Sequence, residues 1–336
     1  MSSAASSPSP RLALRPEPAA SVPHRPLLKP WYRVARTPGG MALEYGQVAV
    51  VFEGGAAHSL LPRLLGLLDG TRTADEVVAL VGPAVEPATR AALARLAAHG
   101  LLTEGPALDE DDAVASLAAW LAAAGVAEPA TAAVQVAALR VAVVGEGPVA
   151  DRLPGLLASV GVAAVDRPAW ERIGGQAGLV VVAPDAGELP RLEEWNESAL
   201  REGVPWLQVL PPNGRFAAVG PLFVPGETAC RQCFLLRRAA NVEFGEELEH
   251  LERAPGAYPF PAPLAAAVAG LAAFLGLRWA LGGDRMLAGA FYALELGSAL
   301  ALTYHRVHRV PRCPACSPTF GVAPPSPWFG ESARAR

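Results

Sequence analysis

Cys230 and Cys233 stand at C-x-x-C spacing in "ETACRQCFLLRRAANV", and Cys313 and Cys316 repeat that spacing in "HRVPRCPACSP"; the chain has no other cysteine. Such a pair can serve as a redox dithiol or as half of a metal site, since two thiolates one turn apart can meet each other or a shared ion. A redox role would use one pair and leave the other without a purpose. Two pairs supply the four sulfurs of a tetrahedral zinc site, each clasping one side of the ion. A closed four-sulfur site keeps no position for water or substrate, so it predicts structural zinc and stability instead of catalysis. His305 and His308 lie close by, but their alternation in "LTYHRVHRV" fits a strand. Arg237 and Arg238, on the helical pattern after the first pair, read as solvated or interface charges.

The second candidate for chemistry is a turn. In "LRVAVVGEGPVADRLPGLLASVGVAAVDR", Gly145, Gly147 and Ala150 have G-x-G-x-x-A spacing directly after a strand, and Asp166 ends the next strand. Backbone N–H groups of such a turn can cradle phosphate at a helix N-terminus. Here Pro148 removes an N–H at the mouth, and Pro154 interrupts the helix pattern. The fold can persist with an empty site, so Gly145, Gly147 and Asp166 read as a vestigial nucleotide site.

These residues need elements to hold them. "GLVVVAPD", a helix over 188–202 and "VPWLQVL" continue the strand and helix alternation, which predicts a parallel sheet with helices packed on it. Upstream, residues 28–105 read as a small domain. "PWYRVA" and "ALEYGQVAVVF" suggest a three-stranded antiparallel sheet. Helical patterns follow over 57–68, over 73–81 with Thr73 as N-cap and Glu76 three residues on, and over 86–99. In the last of these, Ala88, Ala91, Ala92, Leu96 and His99 fall near one face. The unit reads as a winged-helix type of module. Residues 106–138 read as a helical linker in which Leu117, Trp120 and Leu121 pack on a neighbour; residues 1–27 and 318–336 read as disordered tails, the latter carrying Trp328 and Phe329.

Composition narrows the classes. At 336 residues and 51% apolar, the chain supports about two domains with their own cores. A net charge of −4 gives no reason to expect nucleic acid, and the third helical pattern offers only Arg90 and Arg95 beside Glu86 instead of a basic stripe. Residues 262–277 are apolar but short for a membrane span and are stopped by Arg278, so they read as a core helix. With no export signal, the expectation is a cytoplasmic protein without a membrane partner.

The element order of 28–105, the "LLxLLDGTRTADEVVALV" run and the closing "LARLAAHGLLTE" resemble the PqqD-like recognition domain of ribosomally made, modified peptide (RiPP) pathways. That resemblance implies a leader peptide added as a strand beside Gln47 to Phe52 and packed on the helix Val85 to His99. Its contacts would include Gln47, Val48, Val50, Phe52, Arg90 and Leu93. "RFAAVGPLFVPGETACRQC", "FLLRRAANV" and the later "CPAC" are similar to the ThiF-like, ubiquitin-activating-type Rossmann-like fold. Over residues 28–317 the chain resembles the leader-binding ThiF-like partner, or C protein, of YcaO-type cyclodehydratases in thiazole/oxazole-modified microcin (bacteriocin) biosynthesis. The resemblance implies a non-catalytic subunit that presents the peptide core to the YcaO enzyme for azoline formation, and a possible homodimer. An adenylating ThiF member would need cationic side chains on the ATP phosphates, typically including a lysine, and Lys29 is the sole lysine here. Such a member also carries an acidic metal-binding residue after the third long strand; the resemblance puts Asp185 there, in the vestigial nucleotide site, but "APDAGELPRLEEW" lacks the Asp and Arg surroundings expected, so ATP is not expected as a cofactor. The competing readings are an ATP-dependent enzyme adenylating a peptide carboxylate and a DNA-binding N-terminal domain.

Overall fold

The computed structural model describes residues 21–109, 112–172, 177–254, 256, 258–297 and 300–317. The two segments read as tails fall largely on 1–20 and 318–336, outside the described residues. The chain divides into two compact units, residues 1–109 and 110–336.

The first unit contains β1 (Pro26–Leu28), β2 (Arg33–Thr37), β3 (Gly40–Tyr45), β4 (Val48–Glu53), α1 (Gly55–Ser59), α2 (Leu61–Leu65), α3 (Ala74–Val81), α4 (Glu86–Ala98) and β5 (Leu102–Glu104). β2, β3 and β4 form an antiparallel meander, and β1 pairs with β5. Strand alternation turns Met41 and Leu43 of β3, with Phe52 of β4, into a core shared with Leu64, Val77, Leu93 and Leu96. The helix expected over 57–68 is divided at Leu60, because Pro62 has no N–H to continue the α1 ladder and starts α2 instead. Thr73 and Glu76 form a reciprocal capping box at the start of α3, which contributes about 1 kcal/mol. The buried face of α4 is Thr89, Leu93, Leu96 and Ala97, not the alanine stripe through Ala88 and Ala91. Leucines remove more apolar area from water than alanines, so Leu93 decides which face turns inward.

The second unit begins with α5 (Ala115–Ala123) and α6 (Pro129–Ala138), then runs through β6 (Arg140–Val144), α7 (Leu153–Ala158), β7 (Ala164–Asp166), β8 (Leu179–Val182), α8 (Arg191–Glu202), β9 (Trp206–Leu210) and β10 (Phe216–Phe223). It continues with α9 (Arg231–Ala239), α10 (Gly245–Arg253), α11 (Ala262–Gly282), β11 (Ala290–Glu295) and β12 (Leu302–Arg306). One seven-stranded sheet has the order β12-β11-β10-β9-β8-β6-β7. β7, β6, β8 and β9 are parallel, and β10 to β12 continue antiparallel. β8 is buried along its whole length, as a parallel strand covered on both faces requires.

α11 is long and apolar enough to cross a bilayer, yet its inner stripe of Ala265, Ala269, Ala272 and Gly276 is buried. A Cβ at Gly276 would lie 2.7 Å from the Leu179 side chain, so the helix packs closely on β8. Arg278 does not end this helix as the sequence suggests. It stays inside α11, paired with Asp284, and Gly283 closes the helix in the left-handed conformation. Leu117 and Leu121 of α5 are buried, and Trp120 stands edge-on to Phe274 of α11.

Candidate functional site

Three places expected to carry function can be located. The first is the cysteine cluster. Cys230 is the N-cap of α9 and Cys233 lies in its first turn, while Cys313 and Cys316 arrive on the loop beyond β12. Asn196 of α8 accepts the Arg231 N–H and thereby fixes the start of α9. The Sγ separations are 3.9 Å for Cys230–Cys233, 3.7 Å for Cys230–Cys313 and 3.5 Å for Cys233–Cys316, and all four sulfurs lie within 4.8 Å of one another. Four thiolates at about 2.3 Å from one zinc have edges near 3.8 Å, so the four cysteines could hold a metal ion such as zinc. A disulfide would need sulfurs about 2.05 Å apart, and all four cysteines are free.

The surroundings favour a thiolate at Cys233 and oppose one at Cys230 and Cys316. Cys233 is held down to about 4, because it accepts a hydrogen bond from the Cys230 thiol and another from the Val310 N–H. Cys230, the donor of that pair, is pushed up, and burial pushes Cys316 up to about 11. A divalent cation would supply the charge that lets such buried thiols ligate as thiolates. Arg237 and Arg309 strap the loop that brings the second pair. Arg237 donates to the carbonyls of His308 and Arg309, and Arg309 donates to those of Gly226 and Cys316. Arg237 is exposed, as a solvated charge would be, yet its guanidinium is spent on the carbonyls of this loop. Nothing in its spacing foretold carbonyls so far along the chain. Neither His305, which lies in β12, nor His308 belongs to the cluster.

The second place is the glycine turn after β6. Gly145 and Gly147 both have positive φ, 104° and 101°, and a Cβ at Gly145 would lie 2.5 Å from the Ala183 carbonyl oxygen at the end of β8. Residues 148–152 form turns, and α7 starts only at Leu153. Pro154 does not interrupt this helix, since it occupies the first turn, where no N–H is needed. Asp185 lies across from Gly147, but Asp166 is directed to Arg140 instead of the turn. A cavity of about 480 Å3 opens here, lined by Glu146, Val149, Asp185, Leu210 and Tyr258 among others. Among its described lining residues there are two carboxylates and no Arg or Lys. An adjoining cavity of about 650 Å3 is lined by Phe216, Phe234, Phe244, Leu248 and Phe291.

The third place is β4 and α4. β4 is the last strand of its meander, and its outer edge pairs with no strand among the described residues. Val48 and Val51 are 59% and 52% exposed. Val50 is half-buried, Phe52 is buried and Gln47 precedes the strand in an exposed turn. Leu93 is 2% exposed and belongs to the core, so no ligand can reach it without unfolding that core. Arg90 pairs with Glu86 and with Asp75 of α3. Instead, Arg95 and His99 face Phe52: the guanidinium lies 5.8 Å from its ring centre, and the imidazole meets the ring edge-on at 5.7 Å. A 3.6-residue count from the buried Leu96 would have found Arg95 and His99 beside one another on the exposed flank.

No family model matches the sequence, and no curated protein sequence matches it. Among solved structures, the fold is similar to the heterocyclase TruD, with TM-score 0.67 and 26% identity over 88% of this chain and 43% of that one. It is similar to a heterocyclase in complex with substrate and cofactor, with TM-score 0.65 and 24% identity over 87% of this chain and 39% of that one. It also resembles MccB of E. coli, with TM-score 0.60 and 15% identity over 87% of this chain and 97% of that one. MccB is the microcin C7 biosynthetic enzyme, and matching structures hold N-formylated MccA or ATP. The chain spans less than half the length of the two heterocyclases. The likeness shows a mixed α/β fold with a large mixed sheet like that of these proteins.

Proposed function

We propose that this chain is a leader-peptide recognition subunit that captures a ribosomal precursor and presents its core to a YcaO-type, ATP-dependent cyclodehydratase for azoline formation. The observation that carries this reading is the open edge of β4, with exposed Val48 and Val51 and the neighbouring Arg95 and His99. An extended peptide completes such an edge through main-chain hydrogen bonds, and side chains on α4 add selectivity. In this reading the first unit is the PqqD-like, winged-helix-like recognition domain. The second unit is a cytoplasmic scaffold stapled by a structural zinc on Cys230, Cys233, Cys313 and Cys316, and it holds the core near the partner's active site at raised effective concentration. The ring-forming chemistry would reside in the part of the heterocyclases that this chain does not match, whether on the same polypeptide or another.

Fluorescence polarisation of a labelled leader peptide, encoded by a precursor gene beside this one, should show saturable binding to the full chain. Absence of binding to any neighbouring leader sinks the proposal. A second reading, a ThiF-type adenylating enzyme, draws on the match to nearly the whole length of MccB. Exchange of labelled pyrophosphate into ATP in the presence of the precursor separates the two.

A further inference from the structure

We infer that Glu188 is an internal anion that occupies the phosphate-facing side of the glycine turn and excludes phosphate ligands from the second unit's cavity. Locally, Asp185-Ala-Gly-Glu188 is a turn with the reciprocal hydrogen bonds of a capping box, ahead of α8. The Asp185 Oδ1 accepts the Glu188 N–H at 2.9 Å, and the Glu188 Oε2 accepts the Asp185 N–H at 3.2 Å. That alone would be an ordinary turn before α8. The same carboxylate goes further: Oε2 accepts the Glu146 N–H at 2.7 Å, and Oε1 accepts the Trp170 indole N–H at 2.8 Å.

Three donors from three segments, the exits of β6 and β8 and the turn beyond β7, thus converge on one side chain. The place matters. β6 is followed by β7 on one side and by β8 on the other, so the crevice between β6 and β8 is the switch point where open parallel sheets bind ligands. Glu146 lies between the two glycines with positive φ, and its N–H is the kind of group that faces a phosphate in such turns. A polyphosphate drawing on the Glu146 N–H would have to displace Glu188, and it would meet Glu146 and Asp185, which line the cavity. The cations at the turn are engaged: Arg167 donates to the Gly145 carbonyl and the Asp151 carboxylate, and Arg152 to the Pro148 carbonyl.

Glu188 deepens the scaffold reading of this unit, but anion exclusion and leader binding are separate measurements, and either can fail alone. The test is thermal unfolding of the full chain, wild type and Glu188→Ala, in chloride, formate, inorganic phosphate or pyrophosphate at matched ionic strength. The wild type should respond alike to all four salts. Glu188→Ala should melt about 4 °C lower in chloride, and formate or phosphate should restore part of that loss by entering the vacated place. Selective stabilisation of the wild type by pyrophosphate, or a variant without loss or anion response, overturns the inference. Should Glu188→Ala fail to fold, Glu188→Gln serves: its Glu146 amide should exchange about tenfold faster than in wild type, and unchanged exchange overturns the assignment.

Discussion

The two units treat their hydrogen-bonding and ligating groups in opposite ways. In the second unit, four sulfurs converge within 4.8 Å of one another, and the glycine turn's Glu146 N–H is already bonded to Glu188. In the first, β4 keeps its outer edge unpaired among the described residues, with Val48 and Val51 exposed beside it. A motif can therefore be complete in sequence and yet satisfied internally. Capacity to bind an extended peptide lies where backbone groups stay open, and capacity to hold a shape lies where they are closed.

The largest effect should come from opening what is closed. Metal analysis is expected to find one zinc per chain, and chelation or Cys230→Ser should abolish the cooperative unfolding transition of the second unit, since structural zinc contributes on the order of 10 kcal/mol or more. A metal-free chain that melts unchanged would break the comparison at once. An intermediate effect separates core from groove in the first unit. Leu93→Ala should cost about 2–5 kcal/mol of stability in urea titrations, whereas Arg95→Ala and His99→Ala should leave the midpoint unchanged and weaken leader binding about tenfold each. Equal losses of stability at all three positions would place Arg95 and His99 in the core instead. The smallest effect is a pH response in the Leu68-Asp69-Gly70 turn. Hydrogen bonds from the Thr71 hydroxyl and N–H, with Arg72 beside them, hold the Asp69 carboxyl down to about 2. Its folded pKa is depressed, so its contribution is fully present above about pH 4 and is lost as pH falls toward 2. Asp69→Asn should flatten the melting temperature over that window, by a modest amount because the group is largely exposed.

Much of the fold could be read from local patterns. The capping box of Thr73 and Glu76, the glycine-bounded strands β2 to β4 and the apolar runs of β6 and β8 each depend on neighbours within a few residues. Alanine-rich helices were harder. α4 offers alanines on several flanks, so its inward face depends on which leucines the meander accepts, and Leu93 lies in the core instead of in a groove. The reach of Glu188 is not legible in sequence, because its turn bonds involve only Asp185, whereas its other donors, Glu146 and Trp170, come from distant segments.

By itself the sequence determined that two C-x-x-C pairs exist, that a strand leads into a G-x-G turn and that a small strand-and-helix unit precedes them. Residue type, spacing and periodicity suffice for that much. Only the tertiary structure decided that the four sulfurs meet, that the turn's Glu146 N–H is bonded to Glu188 and that Arg95 and His99 pack against Phe52. Each of those is a contact between residues far apart in the chain or on different elements, and no local periodicity encodes which partner a hydrogen-bonding group will find once the core has closed.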